Sequence, residues 1–178
     1  APDCRSHVIA TRRSGALESA LPSDVGFFNV ARQARLDWAG IRRLGRYVDE
    51  HEIQLLHIHD RATALVVRLS LLFSKERPLQ VLHDHSGQAI DDPKAAMVKR
   101  FLLRHLAGVM AVSEGLRQQD ERLLRLPPER CVFIPNGIPV SPPTECADTP
   151  PTVIQVANLR VPKGHATAMR AAAQVRER

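Results

Sequence analysis

The sequence predicts an α/β fold, a parallel sheet with crossover helices followed by the start of a second α/β domain. Three observations carry that expectation. Short β-rich runs alternate with stretches of helical period, which is the pattern of β-α-β units. A proline-rich interval breaks the alternation between Ile134 and Pro151. The alternation then resumes for one strand and one helix, up to Arg178.

Taken in order, His7–Thr11 and Val25–Val30 read as strands, the second after a Pro22-Ser23-Asp24 turn signal. Leu36–Glu50 reads as a helix whose stripe is Trp38, Ile41, Leu44 and Val48. Gln54–Ile58 is a short strand, and Ala62–Phe73 a helix expected to bury Leu65, Val66, Leu69 and Phe73. Leu79–His83 follows Pro78 as the next strand. Lys94–Leu106 is a helix, with Asp91 and Asp92 as cap candidates and Pro93 in its first turn. Gly108–Val112 is a strand, and Ser113 is the N-cap of a helix through Leu124. Cys131–Ile134 is the last strand before the break. Strands that alternate with helices in this way favour a parallel sheet covered on both faces.

Pro135–Pro151 holds six prolines in seventeen residues, with Asn136-Gly137 as a turn. Proline supplies no amide donor, so such a segment fits neither a helix nor a sheet interior and reads as a semi-rigid linker. The expected organisation is a first domain over 1–134, a linker over 135–151 and the start of a second domain over 152–178. In the last part, Val153–Ala157 reads as a strand and Gly164–Arg178 as a helix. One strand and one helix bury no core of their own, and the first residue is not Met. The chain is therefore expected to be a piece of a longer protein.

Composition narrows the function classes. The 178 residues contain 25 Lys+Arg against 19 Asp+Glu, a net charge of +6. An excess of that sign favours anionic partners, among them nucleotide phosphates and acidic lipid headgroups, or is simply a solvated surface. No run of about eighteen apolar residues suggests a membrane span, and no signal peptide is recognisable. Cys4, Cys131 and Cys146 are an odd number and widely spaced, which argues against a disulfide framework and for a reducing, cytoplasmic compartment. With 4% aromatic residues and no clustered basic helix, a nucleic-acid platform is not expected.

The densest chemical signal is a pair of histidine clusters, His57-Ile58-His59-Asp60 and His83-Asp84-His85-Ser86-Gly87, each closing a strand. Parallel sheets bind ligands at the carboxyl ends of their strands, so both clusters should face one cleft rim. Period-two alternation puts His57 and His59 on one face, and His83 and His85 likewise. Three readings stay open: a metal site, since H-x-H is suitable zinc-ligand spacing; polar contact with a substrate; or buried histidines bonded to backbone carbonyls. A second signal is Lys163-Gly164 at a helix start, where charge and backbone amides suit a diphosphate. It is neither the G-x-x-x-x-G-K-[ST] loop nor part of any G-x-G-x-x-G. A third is Val112-Ser113-Glu114-Gly115-Leu116, followed by Ile134-Pro135-Asn136-Gly137-Ile138, which locally read as a helix cap and a turn.

In this order, strand-H-x-H, strand-His-x-x-Gly, V-S-E-G-L, I-P-N-G-I and N-L-R-x-x-K-G resemble the retaining GT-B glycosyltransferases of family four (group one). The resemblance runs from about His51 to the C-terminus. It implies two Rossmann-like domains across a cleft, an N-terminal one on the acceptor side and a C-terminal one on the nucleotide-sugar side. It implies that the chain lacks the family's first strand with its glycine-rich turn and most of the second domain, so that this chain alone is inactive. It implies a hexosyl transfer with retention, without metal and with no cofactor beyond the nucleotide-sugar, to a glycan, lipid or other acceptor; the basic charge then suits that donor and peripheral contact with an anionic membrane on its cytoplasmic face. His85 is then the histidine facing the transferred sugar. Lys163, Arg160, Gly164 and Asn158 are the donor-side residues, and His59, Asp60, Ser113 and Glu114 are acceptor-side or structural. Many members carry Gly-Arg-Leu where this chain has Ala157-Asn158-Leu159, so Asn158 stands in place of an arginine and Arg160 is the candidate to cover its role. The competing readings are a metal-dependent hydrolase built on His57, His59, His83 and His85, and a basic, non-enzymatic binding module.

Overall fold

The structure is a computed structural model that describes residues 4–34, 36–85, 97, 100, 101, 103–140, 142 and 152–176. Its chain falls into two units, Ala1–Gly137 and Ile138–Arg178. In the first unit the strands are β1 (His7–Ala10), β2 (Gly26–Asn29), β3 (Leu55–Ile58), β4 (Leu79–Asp84), β5 (Gly108–Ala111) and β6 (Cys131–Phe133). The helices are α1 (Trp38–Glu50), α2 (Arg61–Ser70) and α3 (Glu114–Leu124), and α4 (His165–Arg176) lies in the second unit. Residues 97, 100, 101 and 103 are helical, within the expected Lys94–Leu106 helix. Asp91, Asp92, Pro93, Ser86 and Gly87 lie outside the described residues, as do Cys146, Pro143, Pro150 and Pro151.

Every pairing is parallel, as the β-α alternation requires, but the sheet comes in two parts. One has the order β1-β2 and the other β3-β4-β5-β6. β1 and β3 therefore each pair along a single edge. A cavity of about 240 Å³ is lined by Ile9 and Thr11 on the β1 side and by Leu56, His57, Ile58 and His59 on the β3 side. Consecutive residues of a strand point to opposite faces, so a cavity touching four in a row lies along the strand's edge and not on its face.

The helices start where the sequence supplies an acceptor for their unpaired first amides. Asp37 accepts from Gly40 N at 3.0 Å, Asp60 from Thr63 N at 2.7 Å, and Ser113 from Leu116 N at 3.2 Å. At the other end of α1, Asp49 accepts from Ser74 Oγ at 2.5 Å and from the amides of Lys75 and Glu76. Those bonds hold its carboxyl below the usual range, the Ser74 bond most strongly, and they fix the turn leading into β4. Along α1 the buried stripe is Ile41, Leu44 and Val48, as its spacing predicts.

Two parts of the expected stripes move. Trp38 is 49% exposed and packs edge-on to Phe73, because α1 begins at that residue and its first turn lies beyond the core. On α2 the buried residues are Ala64, Val66 and Val67, with Leu71 in the short 3₁₀ turn that follows. Leu65 and Leu69 are only partly buried, and Phe73 is exposed. The helix ends at Ser70, so continuing its period to Phe73 assigned the wrong face. The core joins these helices to Val30, Leu56, Ile58, Leu82, Val109 and Leu124. On the β1-β2 side, Tyr47 stacks on Phe28 with ring centroids 4.2 Å apart and lies 2.6 Å from His7 Nδ1 through its hydroxyl.

In the second unit the expected strand Val153–Ala157 is not formed; residues 152–158 have no regular structure, and Val153 is 97% exposed. A strand leaves its amides and carbonyls to a neighbour, and among the described residues none pairs with this segment. The expected Gly164–Arg178 helix is present as His165–Arg176, after a 3₁₀ turn at Val161–Lys163. Residues 134–140, with Pro135 and Pro139, have no regular structure, as proline demands. Among the described residues no helix is long and apolar enough to cross a membrane.

α1 comes close to the end of α2 at Gly45. A Cβ there would lie 2.5 Å from the Ser70 carbonyl oxygen. Gly45→Ala is expected to push the helices apart and cost about 1–3 kcal/mol by overpacking, against a gain of under about 1 kcal/mol in helix propensity. Urea unfolding followed by the fluorescence of Trp38 measures it, and an unchanged midpoint would refute the close contact.

Candidate functional site

The two histidine clusters meet. β3 and β4 are adjacent and parallel, with Ile58 opposite Leu82, so both clusters leave the sheet at the same edge. Alternation then gives His57, His59, His83 and His85 one common side. The ring centroids of His57 and His59 are 4.5 Å apart, those of His83 and His85 4.2 Å, and His57 stacks on His83 at 5.5 Å. His59 Nδ1 lies 3.2 Å from His85 Nε2. Burial pulls the His59 and His83 pKa values below the ordinary value, and the neighbouring imidazoles pull the same way. Both rings are therefore neutral at pH 7, each offering one donor and one acceptor nitrogen. The nitrogen atoms of His57, His59 and His83 lie within 4.8 Å of one another, close enough to hold a metal ion.

The remaining candidates on this side have local bonds. Asp60 caps α2 and also accepts from the Thr63 hydroxyl at 2.5 Å. Ser113 caps α3. Glu114 receives Arg117 through both carboxylate oxygens, together with Gln118, and those bonds bring its pKa down to about 2. All three sit just past the carboxyl ends of β3 and β5, on the rim that carries the histidines, while His59 alone of the four contacts His85.

In the second unit Lys163 ends the 3₁₀ turn that leads into α4, with its side chain exposed, as is that of Arg160. Gly164 adopts φ +68°, a left-handed conformation that costs glycine nothing and joins turn to helix. Its carbonyl accepts from Thr167 N and Ala168 N. The Asn158 carbonyl accepts from Arg160 N at 2.8 Å and lies 2.9 Å from His165 Nε2. Gln155 Nε2 donates to the Lys163 carbonyl at 2.8 Å.

The sequence reading missed the group beneath the histidines. Arg61 Nε lies 2.6 Å from Asp84 Oδ2, and its Nη2 donates to Asp120 Oδ1 at 2.5 Å. The Asp84 side chain is 1% exposed and that of Asp120 is 0% exposed. Two signals could have shown it. Asp84 interrupts His83 and His85 on the opposite, inward side of β4. Asp120 stands four residues after Leu116 and four before Leu124, on the buried stripe of α3. Burial pushes the Asp120 pKa up to about 6; Arg61 pulls it down, and Asp84 pushes it further up.

Two outcomes follow from this triad. Arg61→Met leaves two buried carboxylates without their cation and should lower stability by about 3–5 kcal/mol in urea unfolding; a loss of under about 1 kcal/mol would show the triad to be dispensable. Asp120 has a folded pKa of about 6 against an ordinary 3.8, so the folded chain keeps a proton that the unfolded chain releases between them. The group opposes folding above about pH 6, and that opposition is relieved as the pH falls toward about 4. Relative to Asp120→Asn, the native chain should therefore gain stability on acidification from about pH 7 to about pH 5. A parallel pH dependence of the two proteins would contradict the burial.

Cys4 is exposed and Cys131 buried, and both are free. No curated protein matches the chain at a significant level. Residues 1–141, the greater part of the chain, match the family model for Glycosyltransferase Family 4. The parallel α/β architecture is the one such a domain requires, and the chain belongs to Glycosyltransferase Family 4, a glycosyltransferase-type enzyme domain.

Proposed function

We propose that the chain forms the acceptor side of a retaining GT-B glycosyltransferase that moves a hexosyl unit from a nucleotide-sugar to a glycan or lipid-linked acceptor. The observation that carries this reading is the meeting of four imidazoles at the carboxyl ends of β3 and β4 in a domain of this family. His85, through the nitrogen not turned to His59, orients a hydroxyl of the transferred sugar, and His59 fixes the tautomer of His85. The cavity along the β3 edge, bordered by His57 and His59, is of a size to receive part of a sugar acceptor.

The donor-side residues are Lys163 and Gly164, with Arg160 and Asn158 in support. A glycosyl transfer develops charge on the departing diphosphate and an oxocarbenium-like sugar, and catalysis consists largely of stabilising both. The Lys163 ammonium and the first amides of α4 are a cation and a dipole of the right sign for that diphosphate, so the transfer requires no metal on it. The net charge of +6 supports peripheral contact with an anionic membrane on its cytoplasmic face, where a lipid-linked acceptor would be found. A barrel hydrolase is a poorer reading, because the sheet order β3-β4-β5-β6 is open.

Release of nucleoside diphosphate from a panel of nucleotide-sugars by the purified full-length parent enzyme tests the reading. Lys163→Ala and His85→Ala should each slow release about a hundredfold, with the anomeric configuration of the product retained by NMR. Unchanged rates in both variants would remove these two residues from the reaction.

A further inference from the structure

We propose that His57, His59 and His83 form a binding site for a divalent transition metal of the zinc class at the carboxyl ends of β3 and β4. Binding there does not depend on the sugar-transfer reading; the consequence for transfer, given below, rests on it.

The donor set selects the metal. Three imidazoles and no carboxylate make a nitrogen site, which suits Zn²⁺, Co²⁺, Ni²⁺ or Cu²⁺ and is poor for the oxygen-seeking Mg²⁺ and Ca²⁺. The two carboxylates adjacent to these histidines in the chain are committed elsewhere. Asp60 caps α2, and Asp84 faces inward to Arg61.

The spacing fits a tetrahedral ion. Two nitrogens bound to one zinc at its usual distance lie about 3.3 Å apart. One nitrogen from each of His57, His59 and His83 lies within 4.8 Å of the other two. The exposed His57 and His59 rings can turn about their side-chain torsions toward that spacing. The ligands come from two adjacent strands in fixed parallel register, and Arg61 anchors the end of β4 from the opposite side. A second observation points the same way: His83 Nε2 is buried with no hydrogen-bond partner, an unsatisfied nitrogen inside the cluster.

Three protein ligands leave a fourth position open. His85, in contact with His59, borders that position and can fill it, as can a water or a sugar hydroxyl. In either case a metal held on His59 competes with the His59–His85 contact. On the transfer reading above, the bound metal inhibits.

Isothermal titration of the metal-free chain with ZnCl₂ at pH 7.5 tests the site, with MgCl₂ as the control. One zinc per chain is expected at a dissociation constant of about 10 μM or tighter, with no magnesium binding in that range. His57→Ala and His83→Ala should each weaken zinc at least about tenfold while retaining the native far-UV circular dichroism. Cys4→Ser and His51→Ala, which alter exposed zinc-binding groups elsewhere, should leave the affinity unchanged. Co²⁺ at the same site should give the intense visible bands of tetrahedral coordination, a signal that does not depend on any variant folding. Absence of zinc binding, or binding that survives both His57→Ala and His83→Ala, would overturn the proposal. Transfer that persists in chelator and is suppressed by zinc is the expected kinetic result. Absence of zinc binding together with intact transfer would overturn the site alone and leave the transfer reading standing.

Discussion

A buried guanidinium organises the first unit. Arg61 is the first residue of α2, and it reaches Asp84 at the end of β4 and Asp120 in the middle of α3. Each carboxylate pays a large desolvation penalty in such a place, and the Arg61 charge with its fixed fork of donors is what makes the burial tolerable. The result is a three-element clamp at the carboxyl edge of the sheet. It gains little net stability compared with an apolar replacement of equal volume; what it supplies is position.

The position matters because of where its members lie in the chain. Arg61 follows His57-Ile58-His59-Asp60 directly, and Asp84 stands between His83 and His85. Period-two alternation turns Asp84 inward and the two histidines outward, so the ion pair ties α2, which follows the first cluster, to the strand that carries the second. A bond drawn tight on the core side of the edge holds the rings together on the open side. The neutral state of His59 and His83 has the same origin, since rings packed this closely and partly buried disfavour a proton. Charge is thus kept beneath the rim and lone pairs on top of it, an arrangement equally suited to orienting hydroxyl groups and to receiving a cation.

The fold was largely legible in residue order. Strands at Gln54–Ile58, Leu79–His83, Gly108–Val112 and Cys131–Ile134 appear within a residue or two of where alternation and turn residues put them, and Ser113 caps the helix it was expected to cap. Local rules sufficed there because each of these segments finds a strand to pair with within this chain. They failed where a partner was needed and not found. Val153–Ala157 has the composition of a strand and, among the described residues, no ladder to join. Trp38 and Phe73 have the spacing of core residues but sit at helix ends, where the core stops. The meeting of the two histidine clusters was legible too, from parallel pairing and strand polarity together.

By itself, the sequence determined the β-α order, the cap at Ser113, the proline-rich break after Ile134 and the two histidine pairs at strand ends. All of these are encoded in periods of two or 3.6 and in residues whose backbone preferences act over a few positions. Only the tertiary structure decided that His59 would touch His85, that Asp84 and Asp120 would share Arg61, and that β1-β2 would stand apart from the four-stranded sheet. Those outcomes join residues between 23 and 59 positions apart in the chain, or depend on which strand edges find partners. No local period carries that information, because it arises from which buried charges must be neutralised and which edges are left to be paired.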